Sequence, residues 1–353
     1  MNLKLSALVL ATAGAFASTA FASGTQIYGV IDQGLDYQHI GSRFGLKSEE
    51  RFDNGTTVGV QLEGGLSTDS GMSGQSGRLF GRDARLYVDN QYGLFSAGRM
   101  GAMVGGNGPY ARFGHILSPF SCGWGNVGGH LQVMALGYEY VDNALAWASP
   151  KFAGFDATLQ YSNGTDVKKF GDGVEGKSSV ERMYAGALRY THNDLMVIGG
   201  IERINYAQPS ANDLGRKDAI SYNLGGSYQA GWAKFYAYGQ YFQNYTAAAR
   251  TTTFALPSGV DGWGANVGVD VPVSHGFIKA GLGYGDFKGS KDSDRTMKTW
   301  QAAVGYLLPL SKRTSLYTAA NDINSRDSDA QEAANPKAGK QVIDVIAGLM
   351  HKF

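Results

Sequence analysis

Lys234-Phe235-Tyr236-Ala237-Tyr238-Gly239-Gln240-Tyr241 is the stretch on which the fold turns. In an extended chain successive side chains point to opposite sides. Phe235, Ala237 and Tyr241 therefore share one face, and Lys234, Tyr238 and Gln240 share the other. The same period of two recurs outward from it. Val58, Val60 and Leu62 oppose Thr57, Gln61 and Glu63, and Ile278, Ala280 and Leu282 oppose Lys279. Strands of this kind meet two solvents, one apolar and one aqueous.

The composition agrees with a β protein that is not an ordinary soluble enzyme: 51 glycines and 20 tyrosines in 353 residues. Beyond the N-terminus there is no run of about 18 apolar residues, the length a spanning helix needs, and the mean hydropathy is -0.21. A chain of this kind can enter a membrane only as a closed β-barrel, since lipid offers backbone groups no hydrogen-bond partners. Met1 to Ala22 read as a secretory leader with basic Lys4, apolar Leu5 to Phe16 and a cleavage site at Ala20-Phe21-Ala22. The barrel then occupies residues 23–353. The net charge is +1, and without Lys4 the chain holds 30 basic and 30 acidic residues, which argues against nucleic-acid binding. The single cysteine, Cys122, excludes an intramolecular disulfide.

Gly, Asn, Asp and Pro punctuation predicts sixteen strands: 25–37, 40–50, 56–69, 78–89, 94–100, 137–148, 155–163, 180–191, 195–206, 218–229, 232–245, 261–271, 277–287, 295–308, 314–322 and 341–353. Connections alternate in length. Asp53-Asn54-Gly55, Asn90 to Gly93, His192-Asn193-Asp194, Pro272 to Gly276 and Ser311-Lys312-Arg313 are tight, whereas 164–179, 246–260 and 323–340 are long and polar. Short periplasmic turns and longer external loops are the outer-membrane pattern, with both termini periplasmic. About 16 strands leave room for an aqueous channel. The connection from Gly101 to Leu136, with Pro109, Phe113, Pro119, Phe120 and Trp124, is too apolar to float in solvent, and is expected to fold into the barrel.

These residues carry a family resemblance. Ile27-Tyr28-Gly29-Val30-Ile31-Asp32, Ser42-Arg43-Phe44-Gly45-Leu46-Lys47, Arg78-Leu79-Phe80-Gly81-Arg82, Gly98-Arg99, Ser149 to Phe155, Leu310 to Tyr317 and the closing Gly348 to Phe353 occur in order along nearly the whole chain. In this the sequence resembles the trimeric general porins of β-proteobacteria, the Neisseria and Bordetella type. The resemblance implies a 16-stranded antiparallel transmembrane β-barrel in the outer membrane, a homotrimer and an inward third loop. It implies passive diffusion of small hydrophilic solutes, with outer-membrane lipid and lipopolysaccharide as surroundings. It also implies that the terminal Phe353 is read by the barrel-assembly machinery. Neither catalysis nor a cofactor is implied. Two features depart from the family: the first external loop, near Gln38 and His39, is short, and the third loop lacks acidic residues.

Ion preference in such a constriction follows the charges that ring it. Between Gly101 and Leu136 stand Arg112, His115 and His130 and no Asp or Glu. Arg43 opposes Phe44 and Leu46, so it points inward together with Lys47. Alternation around Ala84, Leu86 and Val88 turns Arg82 outward and Arg85 inward, whereas the resemblance puts Arg82 in a basic wall; both readings stand. Asp32, Asp36, Glu63 and Glu139 are candidate lumen acids. Arg43, Arg82, Arg99 and Arg112 facing a loop without carboxylates predict weak anion preference, unless carboxylates pair them off or they brace the loop. A substrate-specific channel of the same architecture is the rival reading.

Other signals are set aside. Gly171 to Ser178 fits a phosphate-loop pattern but lacks the flanking strand and helix. The six histidines and Cys122 show no metal-ligand spacing. Asp322, Asn324, Asp327 and Asp329 lack the glycine of a calcium loop. His192 and His351 stand beside no obvious nucleophile, so no catalytic site is expected.

Overall fold

The computed structural model describes residues 21–34, 41–167, 180–207, 216–328 and 341–353. The leader up to residue 20, Asp36, Gln38, His39, the 171–178 pattern and Asp329 lie outside the described residues.

Sixteen strands form one closed antiparallel sheet. They are β1 (Phe21–Gly34), β2 (Arg43–Arg51), β3 (Thr57–Gly65), β4 (Asp83–Asn90), β5 (Gly93–Gly101), β6 (Tyr140–Ala148), β7 (Phe155–Asn163) and β8 (Arg182–His192). There follow β9 (Leu195–Asn205), β10 (Ala219–Gln229), β11 (Lys234–Ala248), β12 (Phe254–Val273), β13 (Gly276–Gly289), β14 (Thr296–Pro309), β15 (Thr314–Asp327) and β16 (Gln341–Lys352). Each pairs with its sequence neighbour, and β1 closes on β16 through Val30 opposite Lys352 and Gly34 opposite Gly348. Closure leaves no unpaired edge, as lipid demands. No described helix is long and apolar enough to cross a membrane.

The closing seam depends on the last residue. Gly29 and Phe353 exchange both backbone hydrogen bonds at 3.1 Å. A Cβ on Gly29 would lie 2.3 Å from the Phe353 ring, so the ring seats only over a glycine.

The period of two survives in three dimensions. Phe235 and Tyr241 are exposed while Tyr238 and Gln240 are buried; Val60 is exposed and Glu63 buried; Leu282 is exposed and Lys279 buried. On β16, Ile343, Val345, Leu349 and Phe353 are exposed and Ile346 is buried. Exposed or half-buried aromatics form two rows on the outer face. Pairs six positions apart, Phe155 and Tyr161, Tyr184 and Tyr190, Tyr222 and Tyr228, Phe235 and Tyr241, Trp300 and Tyr306, mark the two ends of the strands. Six residues span about 20 Å along a strand, and flanking aromatic girdles border the apolar band of such barrels.

Several strand limits differ from expectation: β3 ends at Gly65 rather than 69 and β15 runs on to Asp327 rather than 322, and two differences are larger or more instructive. The 246–260 connection shrinks to 249–253, because Ala247 pairs with Ala255 and Ala248 with Phe254 beyond two irregularities. Pro257 falls inside an unpaired stretch of β12, where its missing N–H costs nothing. Strand β4 starts at Asp83 rather than residue 78, since the preceding segment is held at the rim by side chains, Arg78 on Asp142 at 2.9 Å among them.

Candidate functional site

Alternation gives every strand an inner face, and the inner residues divide into two kinds. From β1 to β6 they are charged. Arg82 reaches Glu63 at 2.5 Å, Arg43 reaches the same carboxylate at 3.6 Å, and Arg99 reaches Asp142 at 2.5 Å. Lys47 pairs with Glu49 at 2.8 Å. Arg85 donates to Ser96 at 2.9 Å and to Gln61 at 2.6 Å, with Asp83 at 3.7 Å. The Arg82 and Arg99 guanidiniums both lie over the Tyr140 ring, at 5.2 and 5.7 Å, which adds a cation–π attraction. Asp32 is capped by the Tyr317 hydroxyl at 2.7 Å.

Both arginines of β4 and its approach therefore turn inward. Arg82 precedes the first residue of β4, so parity counted from Leu86 does not reach it; its N–H donates to the Glu63 carbonyl at 3.1 Å and its side chain follows. Arg85 obeys parity.

The charged wall is paired, and three of the pairs are lopsided. Arg43 is 31% exposed against 8% for Glu63, Arg78 20% against 7% for Asp142, and Arg99 14% against the same 7%. In these three pairs the carboxylate is the more deeply buried partner, whereas Lys47 and Glu49 are about equally exposed and Asp166 beside Arg78 is the more exposed of its pair.

From β7 to β15 the mid-height inner residues are amides: Gln160, Asn223, Gln240, Asn266, Gln301 and Asn321, all buried. Four of them are partnered by the long connection after β5, while Asn223 donates to Ser221 and accepts from Tyr238 and Gln240. Gln160 accepts from Met103 N at 2.8 Å and donates to the Gly101 carbonyl at 2.9 Å. Gln240 accepts from Ala135 N at 3.0 Å, and Gln301 donates to the Gly129 carbonyl at 2.8 Å. Asn321 donates to the Asn126 carbonyl at 3.1 Å. A buried irregular backbone needs donors and acceptors, and an amide supplies both without the cost of burying a charge. Glycine makes the room: a Cβ on Gly264 would sit 1.8 Å from the Val133 carbonyl oxygen, and one on Gly268 2.4 Å from Pro119. The returning limb is also paired with the β11–β12 connection, through Leu136 N to the Ala247 carbonyl, Ala249 N to Met134 and Arg250 N to Leu131.

The remaining expected residues fall as follows. Arg112 is buried and donates to Thr158 at 2.8 Å and to the Pro109 carbonyl at 2.7 Å, so that it ties the loop backbone to β7. Glu139 pairs with Arg250 at the root of the loop. His115 is exposed, hydrogen-bonded to Ser121 at 2.6 Å, and its charged neighbours are Arg43 and Arg82 on the facing wall. Cys122 is a free thiol, and no group of three or more metal-ligating side chains occurs among the described residues. The amide wall and Tyr140 went unread in the sequence. The signal was present, since all six amides sit at inward parity.

Comparison with known proteins agrees with this architecture. The chain is 28% identical to an outer membrane porin protein of Bordetella pertussis, covering 89% of this chain and 93% of that one. It is 25% identical to outer membrane porin protein 32 of Delftia acidovorans, over 99% of this chain and all of the other. Among solved structures, the anion-selective porin from Comamonas acidovorans superposes with a TM-score of 0.68 at 22% identity, over 95% of this chain and 100% of that chain. A trimer form of OmpT from Vibrio cholerae does so at 0.59 and 13% identity, over 95% and 99%. The profile of the Gram-negative porins matches residues 5–328. A closed sixteen-stranded barrel, apolar outside and polar within, is thus what a chain of the Gram-negative porin family builds, and this chain belongs to that family as an outer-membrane channel for passive diffusion, not an enzyme.

Proposed function

We propose that the connection between β5 and β6 folds into the barrel as an eyelet, and that solutes pass between it and the charged wall of β1 to β6, with weak preference for anions. Arg43, Lys47, Arg82 and Arg99 are the residues assigned to that preference, with Asp32 and Glu63 as their recessed counter-charges; Arg112 and Glu139 hold the loop. The observation that carries the reading is the unequal exposure of the two partners in the Arg43–Glu63 and Arg99–Asp142 pairs, across from a loop with no carboxylate between Gly101 and Leu136. The similar fold of the anion-selective porin from Comamonas acidovorans supports the sign.

The reading includes a homotrimer. Outward Tyr and Trp run from β6 to β14 and none is found from β15 through β4 among the described strands, where Val60, Leu86, Val345 and Ile343 face out instead. A face whose outward aromatics are only Phe44 and Phe353 among the described strands suits a second copy better than lipid. It also includes a leader of residues 1–22 removed on export, recognition of Phe353 by the barrel-assembly machinery, and lipopolysaccharide at the outer rim.

Liposome swelling tests the transport claim. Small anionic solutes are expected to enter faster than cationic solutes of equal size, with rates linear in concentration. Saturation by one solute at modest concentration would replace the general pore with a substrate-specific channel.

A further inference from the structure

Tyr140 opens β6, where the long connection re-enters the wall, and it pairs with Gly101, where that connection leaves it. The residue is buried, and its hydroxyl has no hydrogen-bond partner among the described residues. A buried tyrosine ordinarily engages its neighbours through that hydroxyl. Here the engaged part is the ring. Arg82 Cζ lies 5.2 Å and Arg99 Cζ 5.7 Å from its centroid, within the roughly 6 Å over which an aromatic face attracts a cation.

The carboxylates of this wall are divided. Glu63 meets both Arg82 and Arg43, and Asp142 meets both Arg99 and Arg78. Arg78 takes both oxygens of Asp142, at 3.2 and 2.9 Å, as a two-pronged pair. The two arginines on the ring do not pair in this way: Arg82 takes one oxygen of Glu63 through Nε, and Arg99 one oxygen of Asp142 through Nη1 while its Nε donates to the Gly81 carbonyl. A carboxylate holds a guanidinium by cancelling its charge. An aromatic face holds it and leaves the charge in place.

We propose that Tyr140 is a positioning residue for ion selectivity, its ring keeping Arg82 and Arg99 short of full pairing with Glu63 and Asp142 so that both carry charge toward the path. Without the ring each guanidinium closes on its carboxylate in the forked geometry that such pairs favour, and the field on a passing ion falls. The inference deepens the anion preference proposed above and rests on it.

Zero-current potentials of the folded channel in a planar bilayer under a KCl gradient test it. Tyr140→Phe keeps the ring and drops the unpartnered hydroxyl, so it is expected to keep the wild-type ratio of chloride to potassium permeability. Tyr140→Leu keeps an apolar side chain and removes the ring. Its excess of chloride over potassium permeability should fall by roughly half, since Arg82 and Arg99 are two of the four cations assigned to the preference. Pentafluorophenylalanine in place of Tyr140 keeps the ring's shape and withdraws the negative charge from its face; it should behave as Tyr140→Leu does, and it decides the matter alone if the leucine variant yields no channels. Thermal unfolding that shifts while the permeability ratio of the fluorinated variant stays at the wild-type value would show a merely structural role and overturn the inference. A fall in the ratio of Tyr140→Phe to that of Tyr140→Leu would overturn it too, by assigning the effect to the hydroxyl. A wild type that prefers potassium would overturn the anion reading underneath, whereas a wild type that prefers chloride with an unmoved fluorinated variant overturns this inference alone.

Discussion

The two halves of the interior solve opposite problems with different side chains. On the proposed path the wall of β1 to β6 faces water, so charged groups are tolerated there, and arginines pair with carboxylates such as Glu63 and Asp142. The wall of β7 to β15 is covered by chain, and its inner residues at mid-height are amides that satisfy a buried backbone. Charge on that second wall is paired or capped away from mid-height, as in Asp156 with Arg189, Asp270 with Lys279, and Glu202 accepting from Tyr245. The difference teaches that an inner-facing polar residue in a barrel has two uses, and that amides at mid-height mark the covered one.

The comparison breaks most visibly if the amide wall is removed. Gln240→Leu with Gln301→Leu leaves Ala135 N and the Gly129 carbonyl without partners. Each orphaned group costs about 1–3 kcal/mol, so the double variant should unfold at lower temperature and show noisier single-channel currents. Its ion preference should stay that of the wild type; a change there would mean that the amides also face the ion path.

The charged wall should respond the other way. Arg43→Gln removes the most exposed arginine of the wall around Glu63. Loss of most of the anion preference is expected, with stability shifted by less than about 1 kcal/mol because the pair is partly solvated. Measurements of zero-current potential and of thermal unfolding on the same variant separate the two effects.

A smaller effect belongs to the outer rim. Glu181, just before β8, is buried and accepts from the Thr165 hydroxyl at 2.8 Å. Burial pushes its carboxyl up to about 7, against the pull of Arg216. The folded value thus exceeds the roughly 4.3 of an unfolded glutamate. Stability from this group is complete below the lower value and is lost as pH rises through the upper one. Glu181→Gln should therefore match the wild type at pH 4 and unfold at higher temperature than the wild type at pH 8; equal behaviour at both would mean that Glu181 is solvated.

Most of the fold was legible because a strand between lipid and water writes its period into the sequence, as in Phe235, Ala237 and Tyr241. Legibility failed where parity ends. Arg82 lies one residue outside β4, so its direction depends on the turn from Glu63 and not on alternation. Pro257 looked like a loop and lies in an irregular part of β12. Arg112 was visible as a charge, but what consumes it is the carbonyl of Pro109, a tertiary fact. The six amides were individually unremarkable, and only their shared parity across strands with a glycine such as Gly264 among them marks a covered wall.

The central claim is that the exposed cations of one wall govern what passes. The zero-current potential of the wild-type channel across a planar bilayer under a steep KCl gradient tests it directly. The dilute side should become negative, as chloride crosses more readily than potassium. A positive dilute side would show that the recessed carboxylates govern the path, and would contradict the account.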